Sequence, residues 1–157
     1  MNRKYYLAYG SNLNEEQMAW RCPTASVVGV ADLNDWRLLF RGSKTGSYLT
    51  IEPCDGHTIP VAIWSITPED ELSLDHYEGF PTFYRKEILP FDGYDFNGEP
   101  FSGEALVYIM TEGRPLGIPS DLYVDTCIEG YQDFGFDYAP LEEALLYSCN
   151  HKEVKSA

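Results

Sequence analysis

Along the chain, short apolar runs alternate with brief polar breaks, and most runs are strand-sized rather than helix-sized. Tyr5–Tyr9 reads as a buried strand. Asn14 then offers a helix cap with Gln17 three residues on, and that helix should reach about Cys22. Ser26–Leu33 and Trp36–Phe40 read as strands around a tight Asn34-Asp35 turn, and Gly42–Gly46 reads as a polar loop. Tyr48–Pro53 and Ile59–Ile66 flank Cys54-Asp55-Gly56-His57, whose Asp-Gly pair is a hairpin-turn signal. Thr67 and Asp70 around Pro68 make a near capping box, predicting a helix over Pro68–Tyr77. The run Glu69-Asp70-Glu71 fits an ordinary first helical turn, where acids are favoured. Gly79 is a natural stop, and Pro81 prevents continuation. Phe83–Phe91 and Phe101–Met110 form a second hairpin over a Gly- and Asp-rich connection. Ser120 is placed to cap a helix reaching about Tyr131. A last helix, Pro140 to about Asn150, gathers Leu141, Ala144, Leu145 and Tyr147 on one face. Few helices and many strands with short connections predict an α+β fold. The expected form is a curled, antiparallel-rich sheet or small β-barrel with helices packed on one side.

Composition narrows the partners. At 157 residues the simplest organisation is a single domain over 1–157 with a substantial core. The 25 acids against 11 bases give a net charge of −14, a field that repels nucleic acid and anionic membrane. Neither is an expected partner, and a highly anionic substrate is disfavoured. Twelve tyrosines suit a pocket or interface with wet edges. Cys22, Cys54, Cys127 and Cys149 lack C-x-x-C or metal-ligand spacing, and His57, His76 and His151 are equally scattered. No metal site is therefore expected, and the cysteines read as reduced thiols of a cytoplasmic protein. No apolar stretch reaches membrane-span length. Met1–Lys4 leads straight into the first strand without room for a signal peptide, and Lys152–Ala157 is expected to fray.

Two segments carry candidate chemistry. Tyr6-Leu7-Ala8-Tyr9-Gly10-Ser11-Asn12 ends a strand in a small-residue loop that opens onto a helix. Such a corner leaves backbone N–H groups unpaired, ready for a carboxylate or a developing oxyanion, although many corners of this kind are plain connections. Leu74-Asp75-His76-Tyr77-Glu78-Gly79-Phe80-Pro81 places Glu78 at the last turn of a helix, near its negative end. That position, with Tyr77, Phe80, Phe83 and Tyr84 nearby to exclude water, should raise the Glu78 pKa toward neutrality, as a general acid/base requires. The plain alternative is a solvated surface Glu. Ser11 with His57 or His76 is a weaker nucleophilic arrangement, because no nucleophile-elbow pattern surrounds Ser11.

Together the Tyr-Gly-Ser-Asn-Leu loop and the Leu-Asp-x-x-Glu-Gly helix end resemble the γ-glutamylcyclotransferase-like family, which includes the γ-glutamylamine cyclotransferases and AIG2-like proteins. The resemblance covers nearly the whole chain. It extends to Arg21-Cys22-Pro23-x-Ala25 and Val27–Leu39, to Val61-Ala62-Ile63-Trp64, to Ala105–Met110 and to Pro119-Ser120-Asp121-Leu122-Tyr123. The separation of the two motifs, about 67 residues, fits as well. The resemblance implies an acyltransferase-type enzyme that cyclises a γ-glutamyl group to 5-oxoproline and expels an amine or amino acid, with no cofactor. Glu78 would be the acid/base. Gly10, Ser11, Asn12 and Leu13 would bind the α-carboxylate and carbonyl oxygens. Tyr6 and Tyr9 would line the pocket, Tyr123 would contact substrate, and Tyr84 matches an aromatic after the catalytic Glu once a one-residue gap is allowed. The partner would be a small γ-glutamyl amine or dipeptide, and the protein a monomer or homodimer. A non-catalytic binding or interaction protein that kept the pocket is the alternative within the same family.

Overall fold

A computed structural model describes residues 2–43 and 45–151. The strands are β1 (Lys4–Ala8), β2 (Ser26–Ser43), β3 (Gly46–Ile66), β4 (Tyr84–Asp95) and β5 (Pro100–Met110). The helices are α1 (Glu15–Arg21), α2 (Pro68–Glu78), α3 (Asp121–Phe134) and α4 (Ala139–His151), with a 3-10 turn at Ser11–Leu13. The strands close into a barrel in the order β1-β3-β2-β4-β5. Every pairing is antiparallel except the closure, where β1 runs parallel to β5 through Tyr5↔Ala105 and Tyr6↔Leu106. Closure removes the free sheet edges that a curled open sheet would leave. Leu7, Ile51, Val61, Ile63 and Val107 are fully buried in the core it encloses.

Two expected turns are not turns. Asn34-Asp35 and Cys54–His57 lie inside continuous strands, and they sit opposite each other. The β2–β3 ladder runs from Asn34↔Thr58 to Trp36↔Pro53 across a shared irregularity. Asp35 takes a left-handed φ of 66°, and its carboxylate accepts the Gly56 N–H at 3.0 Å. The turn-forming residues bend the backbone here without reversing it, and their product is a bulge that curves a long hairpin around the barrel. The chain reverses instead at the polar 42–46 segment, closing at Ser43↔Gly46; residue 44 within it lies outside the described residues. The frayed segment expected at 152–157 lies outside them as well.

The helix signals hold closely. Asn14 caps α1 by accepting the Gln17 N–H at 3.0 Å. Thr67 and Asp70 form the full capping box of α2, and Ser120 caps α3 through the Tyr123 N–H. α3 packs on the Ser11–Leu13 turn, and Gly130 is the point of closest approach. A Cβ there would lie 2.6 Å from Leu13 Cβ and 2.8 Å from the Asn14 nitrogen. In an unconstrained helix Ala is better than Gly by about 1 kcal/mol. Here the sign should reverse. Gly130→Ala is expected to destabilise by about 1–3 kcal/mol through overpacking, seen as a lower denaturation midpoint. An unchanged or raised midpoint would mean that the turn moves aside freely.

Candidate active site

β1 ends at Ala8, and the chain then enters a loop that packs under the end of α2. Tyr9, Gly10, Ser11 and Asn12 form one wall of a cavity of about 320 Å³. Tyr6 from β1, Tyr84 from β4, Tyr108 from β5 and Tyr123 from α3 also line it. α2 adds His76, Tyr77 and Glu78, followed by Gly79, while Tyr48, Leu49 and Phe83 complete it. Gly79 lets the helix stop at this point. Its φ of 66° is left-handed, and its N–H turns back to the Asp75 and His76 carbonyls. Glu78 is thereby left as the last helical residue, partly buried against the loop.

Asn12 joins the two motifs. Its Nδ2 donates to the Tyr6 hydroxyl at 2.7 Å and to Glu78 Oε1 at 3.2 Å. Its Oδ1 accepts from Arg21, whose guanidinium lies over the Tyr77 ring, 3.4 Å from the centroid. The Tyr77 hydroxyl meets Ser11 Oγ at 3.1 Å. Deeper in the wall, the Tyr9 hydroxyl donates to the Tyr108 carbonyl and the Tyr84 hydroxyl to the Leu49 carbonyl, each at 2.7 Å. The Tyr123 hydroxyl accepts the Leu49 N–H at 3.1 Å. Among the described residues no hydrogen bond engages the Ser11 or Asn12 N–H, both at the start of the 3-10 turn.

Burial sets the charges here. It pushes the Glu78 carboxyl up to about 7, while the Arg21 charge and the Asn12 hydrogen bond pull it partly back. The sequence-based expectation of a raised pKa holds, but its chief cause is desolvation by the aromatic wall rather than the helix end. Tyr6, Tyr9, Tyr84 and Tyr123 are all held well above the usual tyrosine value, first by burial, and the charge of Glu78 adds to this. They are neutral hydroxyls at any physiological pH. The cavity therefore combines one carboxyl poised near neutrality with neutral hydrogen-bonding groups.

Of the residues singled out from sequence, Tyr6, Tyr9, Gly10, Ser11, Asn12, Glu78, Tyr84 and Tyr123 all line this cavity. Leu13 does not. It is fully buried, with its side chain against α3 at Gly130, because the 3-10 turn rotates it away from the opening. Tyr77 and Phe83, expected only as water-excluding neighbours of Glu78, line the cavity as well, and Tyr48, Leu49 and Tyr108 carry no signal in sequence, since single apolar residues on strands look like core until the barrel closes. Arg21, which carries no role in the sequence reading, brings a cation against Asn12 and Tyr77. Ser11 Oγ pairs with Tyr77 rather than with a histidine, and His57 lies elsewhere, beside Cys54 at 3.2 Å. Among the described residues no group of three or more His, Cys, Asp or Glu side chains is placed to hold a metal ion. No helix among them is long and apolar enough to cross a membrane.

Comparison with known proteins agrees with this geometry. A family described as gamma-glutamyl cyclotransferase, AIG2-like, matches residues 6–125, and the chain belongs to that family. Over 81 residues it is 37% identical to the gamma-glutamylcyclotransferase of Homo sapiens, covering 47% of this chain and 43% of that protein. The match thus spans under half the length of this curated relative. A solved gamma-glutamyl cyclotransferase structure aligns over 99% of this chain and 91% of its own, with a TM-score of 0.74 and 24% identity. YkqA from Bacillus subtilis aligns over 97% and 56% respectively, with a TM-score of 0.73 and 20% identity. These two structural likenesses establish the shared barrel.

Proposed function

We propose that this protein is a γ-glutamyl cyclotransferase that acts on small γ-glutamyl amines or dipeptides. The observation that carries the reading is the Asn12–Glu78 hydrogen bond, which joins the two family motifs inside one tyrosine-lined cavity. The substrate brings its own nucleophile. Its α-amino nitrogen attacks the γ-carbonyl carbon, a five-membered ring closes, and the bond to the leaving amine breaks. Glu78 takes a proton from the α-ammonium group and returns one to the departing nitrogen. The Ser11 and Asn12 N–H groups face the oxygens of the glutamyl head, where charge builds on the γ-carbonyl. Products are 5-oxoproline and a free amine or amino acid, and the step balances without a further reactant. Incubation with a panel of γ-glutamyl amines and dipeptides, scored for 5-oxoproline, tests the reading. Binding of these compounds without any 5-oxoproline would make the protein a binding module instead.

The pH profile provides a sharper test. Glu78 must be ionised to accept the first proton, and burial has raised its pKa to about 7. As pH falls below that value the base is lost, so kcat/KM should drop by roughly tenfold per unit on the acid limb. Above it, kcat/KM should level off until the substrate ammonium itself titrates. An acid limb centred in the ordinary Glu range would mean that the cavity is wet and Glu78 unperturbed.

A further inference from the structure

We propose that Arg21, which does not line the cavity, is a positioning residue that fixes which way the Asn12 amide points and so holds the Glu78 carboxylate for proton transfer. Only its kinetic consequences rest on the cyclotransferase reading; the orientation does not. Arg21 is the last residue of α1. One of its nitrogens donates to Asn12 Oδ1 and another to Gln17 Oε1 at 3.0 Å. Asn12 is only 3% exposed, so its amide has little access to bulk water in place of these partners. The two ends of a side-chain amide are alike in shape and opposite in chemistry. A guanidinium offers donors only, so only the carbonyl oxygen can face it. Turned over, Asn12 would set its NH₂ against Arg21 and its oxygen against the Glu78 carboxylate, two mismatches in a buried site. With Arg21 in place, Nδ2 faces both Glu78 Oε1 and the Tyr6 hydroxyl. Glu78 is then held by one oxygen, and the other remains for the substrate. The stack on Tyr77 adds a second tie, since Tyr77 reaches Ser11 Oγ. One residue of α1 thereby braces the loop and the end of α2 together.

The groups around Glu78 that titrate or carry charge are Tyr6 and Tyr9 from the β1 segment, Tyr84 from β4, Tyr123 from α3, and His76 and Tyr77 on α2 itself. Arg21 is the permanent cation, and its charge draws the Glu78 pKa down against the effect of burial. Arg21→Met and Arg21→Lys separate orientation from charge. The first readout is the ¹³C NMR titration of the Glu78 carboxyl, which needs no activity. In the Met variant its midpoint should move up from the wild-type value. kcat should fall by up to about 10²-fold through misplacement of the proton carrier, with KM moving less. The Lys variant keeps the charge, so its midpoint should stay near wild type. Its kcat should still be reduced, because one ammonium lacks the planar fork that reaches Asn12 while covering Tyr77. Asn12 side-chain ¹⁵N–H signals that keep their wild-type shifts in both variants overturn the proposal, because the amide then holds its orientation without the guanidinium. If the Met variant does not fold, wild-type kcat in the Lys variant overturns it. A wild-type protein that forms no 5-oxoproline defeats the functional reading alone, and the Asn12 amide signals then decide the role of Arg21.

Discussion

Glu78→Gln should lower turnover by about 10²–10⁴-fold while leaving the fold intact. The amide is the same size and can still accept the Asn12 hydrogen bond, which in the wild type spans 3.2 Å. What it cannot do is carry a proton between the two nitrogens. A stability measurement separates this loss from damage to the fold. Burial raises the folded-state pKa of Glu78 above its unfolded value, so the folded protein binds the extra proton between the ordinary carboxylate range and about 7. Stability therefore falls as pH rises through that window, because ionised Glu78 sits in a dry wall. Gln escapes this cost. At pH 8 the variant should melt no lower than wild type, and its advantage should shrink at pH 5. Near wild-type turnover in the Gln variant would sink the acid/base assignment, and a collapse in stability would indict the substitution instead of the chemistry.

How much of this was legible in sequence follows from how local each signal is. Helix ends are local, and Asn14, the Thr67/Asp70 box, Gly79 and Ser120 all fall where their residue types placed them. Strand pairing is not local. Asp55-Gly56 is a strong hairpin signal by itself, yet its outcome depends on Asp35, which lies 21 residues away and accepts the Gly56 N–H. No window along the chain contains that pair. Barrel closure through Tyr5↔Ala105 is remoter still. The site shows the same division. Its two motifs were visible because each is a contiguous run with an unusual order of small, acidic and aromatic residues. The rest of the wall comes from three strands (Tyr48, Tyr84 and Tyr108), from Tyr123 on α3 and from Phe83 just before β4, and Tyr48, Leu49 and Tyr108 look like any apolar strand residues. Arg21 was hidden for a related reason. An arginine ending an amphipathic helix is usually solvated, and only the packing of α1 against the loop turns it toward Asn12.

A cavity with so little catalytic apparatus can serve the proposed cyclisation because the nucleophile and electrophile share one molecule. Intramolecular attack in a well-held geometry supplies up to about 7–11 kcal/mol of the barrier, and the wall has mainly to keep the glutamyl chain folded back. The neutral tyrosines and the rigid Leu49 backbone between Tyr84 and Tyr123 suit that holding role. This division of labour makes the substrate, more than the protein, the place to test the mechanism. A γ-glutamyl compound acetylated on its α-nitrogen keeps the α-carboxylate, the γ-carbonyl and the leaving amine. It loses only the lone pair that attacks in the proposed cyclisation, and the ammonium that Glu78 would deprotonate. 5-Oxoproline formation should be abolished, while the compound still competes weakly with the unmodified substrate through the loop N–H groups. Product analysis by mass spectrometry decides between two chemistries. No product supports cyclisation by the substrate's own amine. Release of N-acetylglutamate would require water as the nucleophile, with Glu78 activating it, and the protein would then be a hydrolase built on a cyclotransferase barrel.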